Sequence, residues 1–130
     1  METSEKRKYI PIEDLEVYKL ARQLSSLAWK IYESLEWQSK KIIGDQFIES
    51  TDSVGANIAE GYGRFHYLDK IKFYYNARAS LAESSEHWLS LLYERGKIKE
   101  KDFIFFRSVS VRLSVKLNNF ISSTYKSKKQ

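Results

Sequence analysis

The chain of 130 residues contains no cysteine, which excludes disulfide bonds, thiolate metal sites and cysteine nucleophiles. A lack of cysteine is typical of proteins that stay in a reducing cytoplasm. The sequence also lacks an apolar N-terminal stretch of the signal-peptide kind, and no run approaches the ~20 apolar residues that cross a membrane. We therefore expect a soluble, cytoplasmic protein without a membrane as a partner.

Histidine is scarce, because the chain has only His66 and His87. Di-iron helical bundles use two Glu-x-x-His pairs, whereas His87 follows Glu83 by four residues and Glu86 by one. The sequence shows no motif that would bring a nucleophile, a base and an orienting acid together in a hydrolytic site. It also has no glycine-rich phosphate-binding loop before a helix. We expect no catalytic residue, metal, cofactor or small-molecule substrate.

The composition predicts one domain with a hydrophobic core, since 42% of the residues are hydrophobic and 15% are aromatic. The formal net charge is +5, and the pI is near 9.3. Residues 1–8 carry +1 and residues 126–130 carry +3, which leaves +1 for residues 9–125. A basic tail binds phosphates without reading sequence. Such tails are more often solubilising ends.

Hydrophobic periodicity predicts four helices, at about residues 14–36, 40–62, 68–95 and 101–125. Pro11 precedes the first helix, and Asp14 is placed to cap it. Its apolar face repeats every seven residues, at Val17, Ala21, Leu24, Ala28, Ile31 and Leu35. Residues 1–10 and 126–130 have little apolar content, so we predict that both are disordered tails.

The connections between these helices are short, and Trp37–Ser39 is the predicted link between the first two, with Ser39 as the cap of the second helix. Glycines at positions 61, 63 and 96 are predicted to end the second and third helices. Short links join antiparallel neighbours. The predicted fold is therefore all-α, an antiparallel up-and-down four-helix bundle within residues 11–125.

The fourth segment carries two patterns at once. Apolar residues alternate from Val109 to Leu117, as in a strand. A lone strand among helices has no partner, and the same segment also has a helical apolar face, formed by Phe106, Val109, Leu113, Leu117 and Phe120. We predict a helix.

A row of polar residues follows one flank of the second helix at intervals of four and three: Gln46, Ser50, Ser53, Asn57, Glu60 and Arg64. We call this row the polar seam. Its period of 3.5 residues is typical of a helix–helix contact. Serine and asparagine are unusual choices for a solvated helix surface. We predict a buried flank in which Asn57, Glu60 and Arg64 pair across the contact; the alternative is a partly wet bundle edge.

A second polar row runs along the third helix, at Asn76, Ser80, Glu83 and His87. In the same helix Arg78 and Ser85 interrupt the apolar stripe where Val or Leu is expected. We predict that this row faces the polar seam, so that Ser80 and Glu83 meet the Asn57–Arg64 end.

These residues also carry a resemblance to a known family. Gln46, residues 53–61 with the sequence SVGANIAEG, and Arg64, followed by Ala77, Ser80, Glu83 and Leu89, resemble a four-helix-bundle family that includes proteins encoded within intervening sequences of bacterial ribosomal RNA genes. Residues 14–18 fit the usual start of that family, so the resemblance covers about residues 12–120. The chain is more distantly similar to the accessory protein of diversity-generating retroelements, a pentameric barrel that works with a reverse transcriptase and nucleic acid. Some family members carry basic residues just after the glutamine, where this chain has Ile48 and Glu49.

The fourth helix has more apolar surface than one bundle can bury, because Ile104, Val111 and Val115 project opposite to its core face. Exposed apolar stripes commonly mark protein–protein contacts. We therefore predict a closed homo-oligomer with these residues at the interface. The resemblance implies a pentamer, which we rank before a dimer.

Two functional hypotheses follow. The first is a non-catalytic interaction protein that assembles with copies of itself. The alternative is an RNA- or DNA-binding accessory protein that uses basic patches on the oligomer, as the pI and the resemblance suggest. Its candidate residues in the folded part are Arg64, Lys72, Arg78, Arg112 and Lys116.

Overall fold

The computed structural model describes residues 9–127, in which all regular structure is helical. Helix α1 spans Glu16–Ser34, α2 spans residues 37–62, α3 spans residues 67–94, and α4 spans Glu100–Lys126. One 3-10 turn, Ile12–Asp14, precedes α1. The predicted fold class, an antiparallel up-and-down four-helix bundle, is confirmed.

The four helices close around one core. Helix α1 packs against α2 and α4, and α3 packs against the same two helices on the other side. The largest fully buried side chains include Tyr74, Phe47, Phe106, Leu24, Ile58 and Leu89. In α4 the side chains of Val109, Leu113 and Leu117 are buried, whereas Val111 and Val115 are exposed. This separation requires helical geometry, so the prediction of a helix over the alternating segment is confirmed.

Two predicted helix caps are wrong. Asp14 lies in the 3-10 turn, and the N-cap position of α1 belongs to Leu15, which makes no side-chain cap bond and is buried in the core. Helix α2 begins at Trp37, so Ser39 lies inside its first turn, where its Oγ donates to Glu36 Oε2 at 3.2 Å. At α1, the burial of Leu15 in the core accounts for the later start of the helix.

The glycines at the end of α2 differ from their predicted role. Gly61 lies within the helix, where an added Cβ would stand 2.7 Å from Tyr74 Cε1 and 3.0 Å from the carbonyl oxygen of Lys70. Gly61 therefore permits the close approach of α2 and α3. Gly63 occupies the C-cap with a φ of −80°, which any residue adopts. Gly96, with a φ of +71°, does follow α3 in the left-handed conformation expected of a helix-ending glycine.

Each of the two central helices contains a π-helical turn, Lys40–Gly44 in α2 and Glu83–Trp88 in α3. Such turns shift the backbone pairing of a helix and are frequent at functional sites. The turn in α3 places two consecutive serines, Ser84 and Ser85, in the interior.

The predicted tails lie largely outside the described residues, which exclude 1–8 and 128–130. Of the described tail residues, Tyr9 and Ile10 are exposed, and Lys126 is the last residue of α4. No helix within residues 9–127 combines the length and apolarity needed to cross a membrane.

Candidate functional site on the α3 and α4 surface

The polar seam is mostly accessible to solvent in this chain. Ser50 is buried, Ser53 and Asn57 are half-buried, and Gln46, Glu60 and Arg64 are exposed. Ser53 Oγ donates to the carbonyl of Glu49 at 2.9 Å, and Asn57 Nδ2 donates to the carbonyl of Ser53 at 2.8 Å. Short polar side chains reach the carbonyl one turn back and need no partner on another helix. The predicted pairing of Asn57 across a buried contact is therefore wrong within the single chain.

Glu60 and Arg64 do form a salt bridge, but it is a local, solvent-exposed pair at the C-terminal end of α2 and does not join two helices. Arg64 Nη2 lies 2.7 Å from Glu60 Oε2, with 45% of the Arg64 side chain and 53% of the Glu60 side chain exposed. The guanidinium also lies 4.8 Å from the centroid of the Phe73 ring. An exposed pair of this kind stabilises a fold by ~0–1 kcal/mol. The predicted burial of this pair is wrong.

The second polar row is also largely exposed. Ser80 is half-buried, while Asn76, Glu83 and His87 are exposed. Glu83 Oε2 accepts from Trp88 Nε1 at 3.0 Å, within α3 itself. Neither row supplies the buried polar contact between α2 and α3.

That contact is made by Thr51 and Ser84, which sequence reasoning did not single out as a pair. Their hydroxyl oxygens are 2.6 Å apart, and both residues are fully buried. Thr51 Oγ1 also donates to the carbonyl of Phe47 at 2.7 Å, so the hydroxyl of Ser84 supplies the proton between the two helices. Thr51 lies on the apolar face of α2, and nothing in the sequence indicates that its hydroxyl would bond to another helix.

Lys70 satisfies the C-terminal end of α2 from the start of α3. Its Nζ donates to the carbonyl of Tyr62 at 3.0 Å and lies 5.3 Å from the centroid of the Tyr62 ring. Partial burial lowers the pKa of Lys70. This capping contact and the close approach at Gly61 hold the α2–α3 turn together.

The outer face of α4 carries an exposed apolar stripe. Ile104 and Val111 are each 56% exposed, and Val115 is 55% exposed. Phe105, next to Ile104, is 50% exposed. We use the name α4 stripe for these four residues. Their exposure follows from the orientation of α4, whose opposite face fills the core.

A groove of about 250 Å³ runs beside the α4 stripe, between α3 and α4. We call it the α3–α4 groove, and its lining includes Arg78, Ser85, Glu86, Arg107, Ser110 and Val111. Arg107 Nη2 donates to the carbonyl of Ser85 at 2.9 Å and to Ser90 Oγ at 3.0 Å. Ser85 belongs to the π turn of α3, so these bonds of Arg107 join α4 to that turn. The only signal for this groove in the sequence is the interruption of the apolar stripe by Arg78 and Ser85.

The five candidate nucleic-acid residues do not form one patch. Arg64 lies beyond the end of α2, Arg78 Nη1 donates to Asn118 Oδ1 at 3.0 Å on the α3–α4 side, and Lys116 Nζ lies 3.5 Å from Glu16 Oε1 on the α1–α4 side. Lys72 and Arg112 are exposed. Arg64, Arg78 and Lys116 therefore lie at three different places on the bundle.

A second, wider groove lies on the opposite side, between α1 and α2. Its volume is about 660 Å³, and its lining combines the small residues Gly55, Ala56 and Ala59 with the half-exposed Trp29. The ring of Trp29 stacks on Tyr32 at a centroid distance of 5.4 Å.

Comparisons with known proteins agree with this architecture. The family model of the 23S rRNA-intervening sequence protein matches residues 13–119. A crystal structure of a protein with unknown function from the S23 ribosomal protein family of Bacteroides thetaiotaomicron superposes with a TM-score of 0.75. That protein is 23% identical, and the match covers 81% of this chain and 97% of the other, so the likeness shows the fold alone. No functionally curated protein matches the sequence significantly.

Proposed function

The chain belongs to the 23S rRNA-intervening sequence protein family, and we propose that it is a non-catalytic bundle that assembles with its own copies into a closed oligomer. The observation that carries this proposal is the α4 stripe, whose side chains are about half exposed among residues 9–127. Soluble monomers seldom expose contiguous large apolar patches, and such patches mark interaction sites. The family match covers nearly the whole bundle, including most of α4.

The size of the stripe indicates what kind of assembly it supports. Full burial of a large apolar side chain is worth ~1.5–3 kcal/mol, so four side chains that are about half exposed contribute roughly 3–6 kcal/mol per copy. Association costs ~4–15 kcal/mol in lost freedom of motion. Two stripes packed face to face therefore support at most a modest dimer. In a ring each copy also buries its stripe once, and every contact gains the apolar area of a second, different surface.

A ring also needs a second surface, because its contacts join two different patches. The α1–α2 groove is the natural counterpart: its small residues leave space for the branched side chains of the stripe, and Trp29 offers apolar area. We therefore rank a pentamer, which the distant similarity to the pentameric accessory protein implies, before a dimer.

Light scattering across a dilution series tests this proposal. The parent protein is expected to have the mass of a closed oligomer, and Val111→Lys/Val115→Lys is expected to dissociate it. The matched control is Asn76→Lys/Ala79→Lys, which adds the same charge at two exposed positions of α3. A parent protein that is monomeric at every concentration would refute assembly. An intact oligomer in the stripe variant would refute the choice of surface.

Nucleic-acid binding remains the alternative, supported by the net charge of +5 and by the exposed Lys72 and Arg112. Binding through phosphates weakens in a log-linear way as salt increases. Retention of RNA or DNA at ~50 mM salt, lost steeply toward physiological salt, would support it. Failure to retain either at ~50 mM salt would dismiss it.

A further inference from the structure

The α3–α4 groove contains two buried polar atoms without a hydrogen-bond partner among residues 9–127. They are the hydroxyl oxygen of Ser85, a residue only 1% exposed, and Nε of Arg107. Buried polar groups in folded proteins are nearly always paired, and an unpaired one costs ~1–3 kcal/mol. Both residues belong to the lining of the same groove, Ser85 from α3 and Arg107 from α4, so a ligand held there would lie next to both unpaired groups.

The two arginines of the groove also lack a carboxylate partner among residues 9–127. Arg107 donates to a backbone carbonyl and to a serine hydroxyl, and Arg78 donates to the amide oxygen of Asn118. Within the part of the chain that the structure describes, neither arginine takes part in a salt bridge. Glu86 is the one carboxylate in the lining. A guanidinium that is partly withdrawn from water and bound only by neutral groups favours an added anion.

We propose that the α3–α4 groove binds one small oxyanion, a phosphate or carboxylate group. The groove supplies N–H donors from Arg107 and Arg78 and hydroxyls from serines, the donor set that such groups prefer. Its volume of about 250 Å³ lies below the ~300–1,000 Å³ of pockets for drug-sized ligands. Val111 and Val115 form an apolar wall that strengthens these contacts.

Two sources supply this chemistry. One is a free anion, and the other is an acidic side chain of a second copy, because a copy seated on Val111 and Val115 would also cover the groove. Binding of a free anion does not require assembly. Its failure would therefore leave the proposed oligomer untouched, and a monomeric protein would still allow a free anion to bind.

The test is an NMR titration of the full, nitrogen-labelled chain with inorganic phosphate at constant ionic strength. The signals followed are Arg107 Nε–H and the amide of Ser85. We expect saturable shifts of both, and Arg107→Gln should weaken the apparent affinity about tenfold or more. The matched control is Arg112→Gln on the same helix, whose exposed guanidinium lies outside the groove lining. This control should keep the parent affinity.

Further variants keep the test decisive if Arg107→Gln does not fold. Ser85→Ala and Arg78→Gln are each expected to weaken binding several-fold. Repeating the titration on dilution separates the sources. An affinity that rises on dilution identifies competition by a second copy, and a constant affinity identifies a free anion. Shifts that never saturate at any protein concentration, or an equal affinity in the parent, Ser85→Ala and Arg78→Gln, would overturn the proposal.

Discussion

Replacement of Gly61 by alanine tests how closely α2 and α3 approach each other. The new Cβ would stand 2.7 Å from Tyr74 Cε1, 2.9 Å from Phe73 Cβ and 3.0 Å from the carbonyl oxygen of Lys70. The first neighbour belongs to a buried ring and the last to the backbone, so neither can move away easily. The two helices must separate or tilt to make room.

Two effects of opposite sign determine the magnitude. Alanine is better than glycine inside a helix by roughly 0.5–1 kcal/mol, because it loses less conformational freedom on folding. Overpacking of a tight contact costs ~1–3 kcal/mol, and three simultaneous contacts place Gly61 at the upper end of that range. The net expectation for Gly61→Ala is a loss of about 1–2 kcal/mol in the free energy of unfolding.

Gly55 on the same helix is the matched control. A Cβ there would meet Ala21 Cβ at 3.6 Å and Tyr18 Cε1 at 3.9 Å, which are ordinary van der Waals distances. Overpacking is therefore absent, and the lower conformational entropy cost of alanine should make Gly55→Ala stabilise the fold by ~0.5–1 kcal/mol. The two glycine substitutions thus have opposite predicted signs.

Denaturant unfolding followed by far-ultraviolet circular dichroism measures both variants. They must be compared with the parent at one protomer concentration, because assembly makes apparent stability depend on concentration. Gly55 also lines the α1–α2 groove, so light scattering must show that each variant has the same mass as the parent. The corresponding melting temperatures should differ in the same directions, by roughly 3–6 °C per kcal/mol for a domain of this size. Equal stabilisation by the two substitutions would show that α2 and α3 do not meet closely at Gly61.

Three further predictions concern polar side chains of α2 and α3. Glu60→Ala and Glu49→Ala should each change stability by no more than ~1 kcal/mol, because both carboxylates are exposed; a loss of ~3–5 kcal/mol for Glu60→Ala alone would show that its pair with Arg64 is buried after all. Thr51→Val should cost ~1–3 kcal/mol by leaving the buried hydroxyl of Ser84 unpaired, and adding Ser84→Ala should recover part of that loss in thermal unfolding. Asn57→Leu should alter stability by less than ~0.5 kcal/mol and leave the mass in solution unchanged, whereas a changed mass would place the polar seam in the oligomer interface.

The periodicity of apolar residues was sufficient to predict the architecture. In α1, the predicted seven-residue repeat from Val17 to Ile31 is buried throughout. In α4, helical geometry explained a pattern that alternation alone would assign to a strand, and the outward face at Val111 and Val115 followed from the same geometry. A helix needs one continuous apolar face to join a core, so this information is local and can be read from the chain.

Only the tertiary structure determined which polar side chains are buried and which groups they bind. A flank such as Ser53 and Asn57 has the same spacing whether a neighbouring helix covers it or water does, and here both side chains bind carbonyls of their own helix. The buried pair of Thr51 and Ser84 depends on which residues two helices bring together across 33 positions of sequence. The α3–α4 groove depends in the same way on two helices, because Arg107 of α4 binds the carbonyl of Ser85 in the π turn of α3. Apolar burial follows the period of a single helix, whereas polar pairing follows the position and rotation of its neighbours, which exist only in the folded bundle.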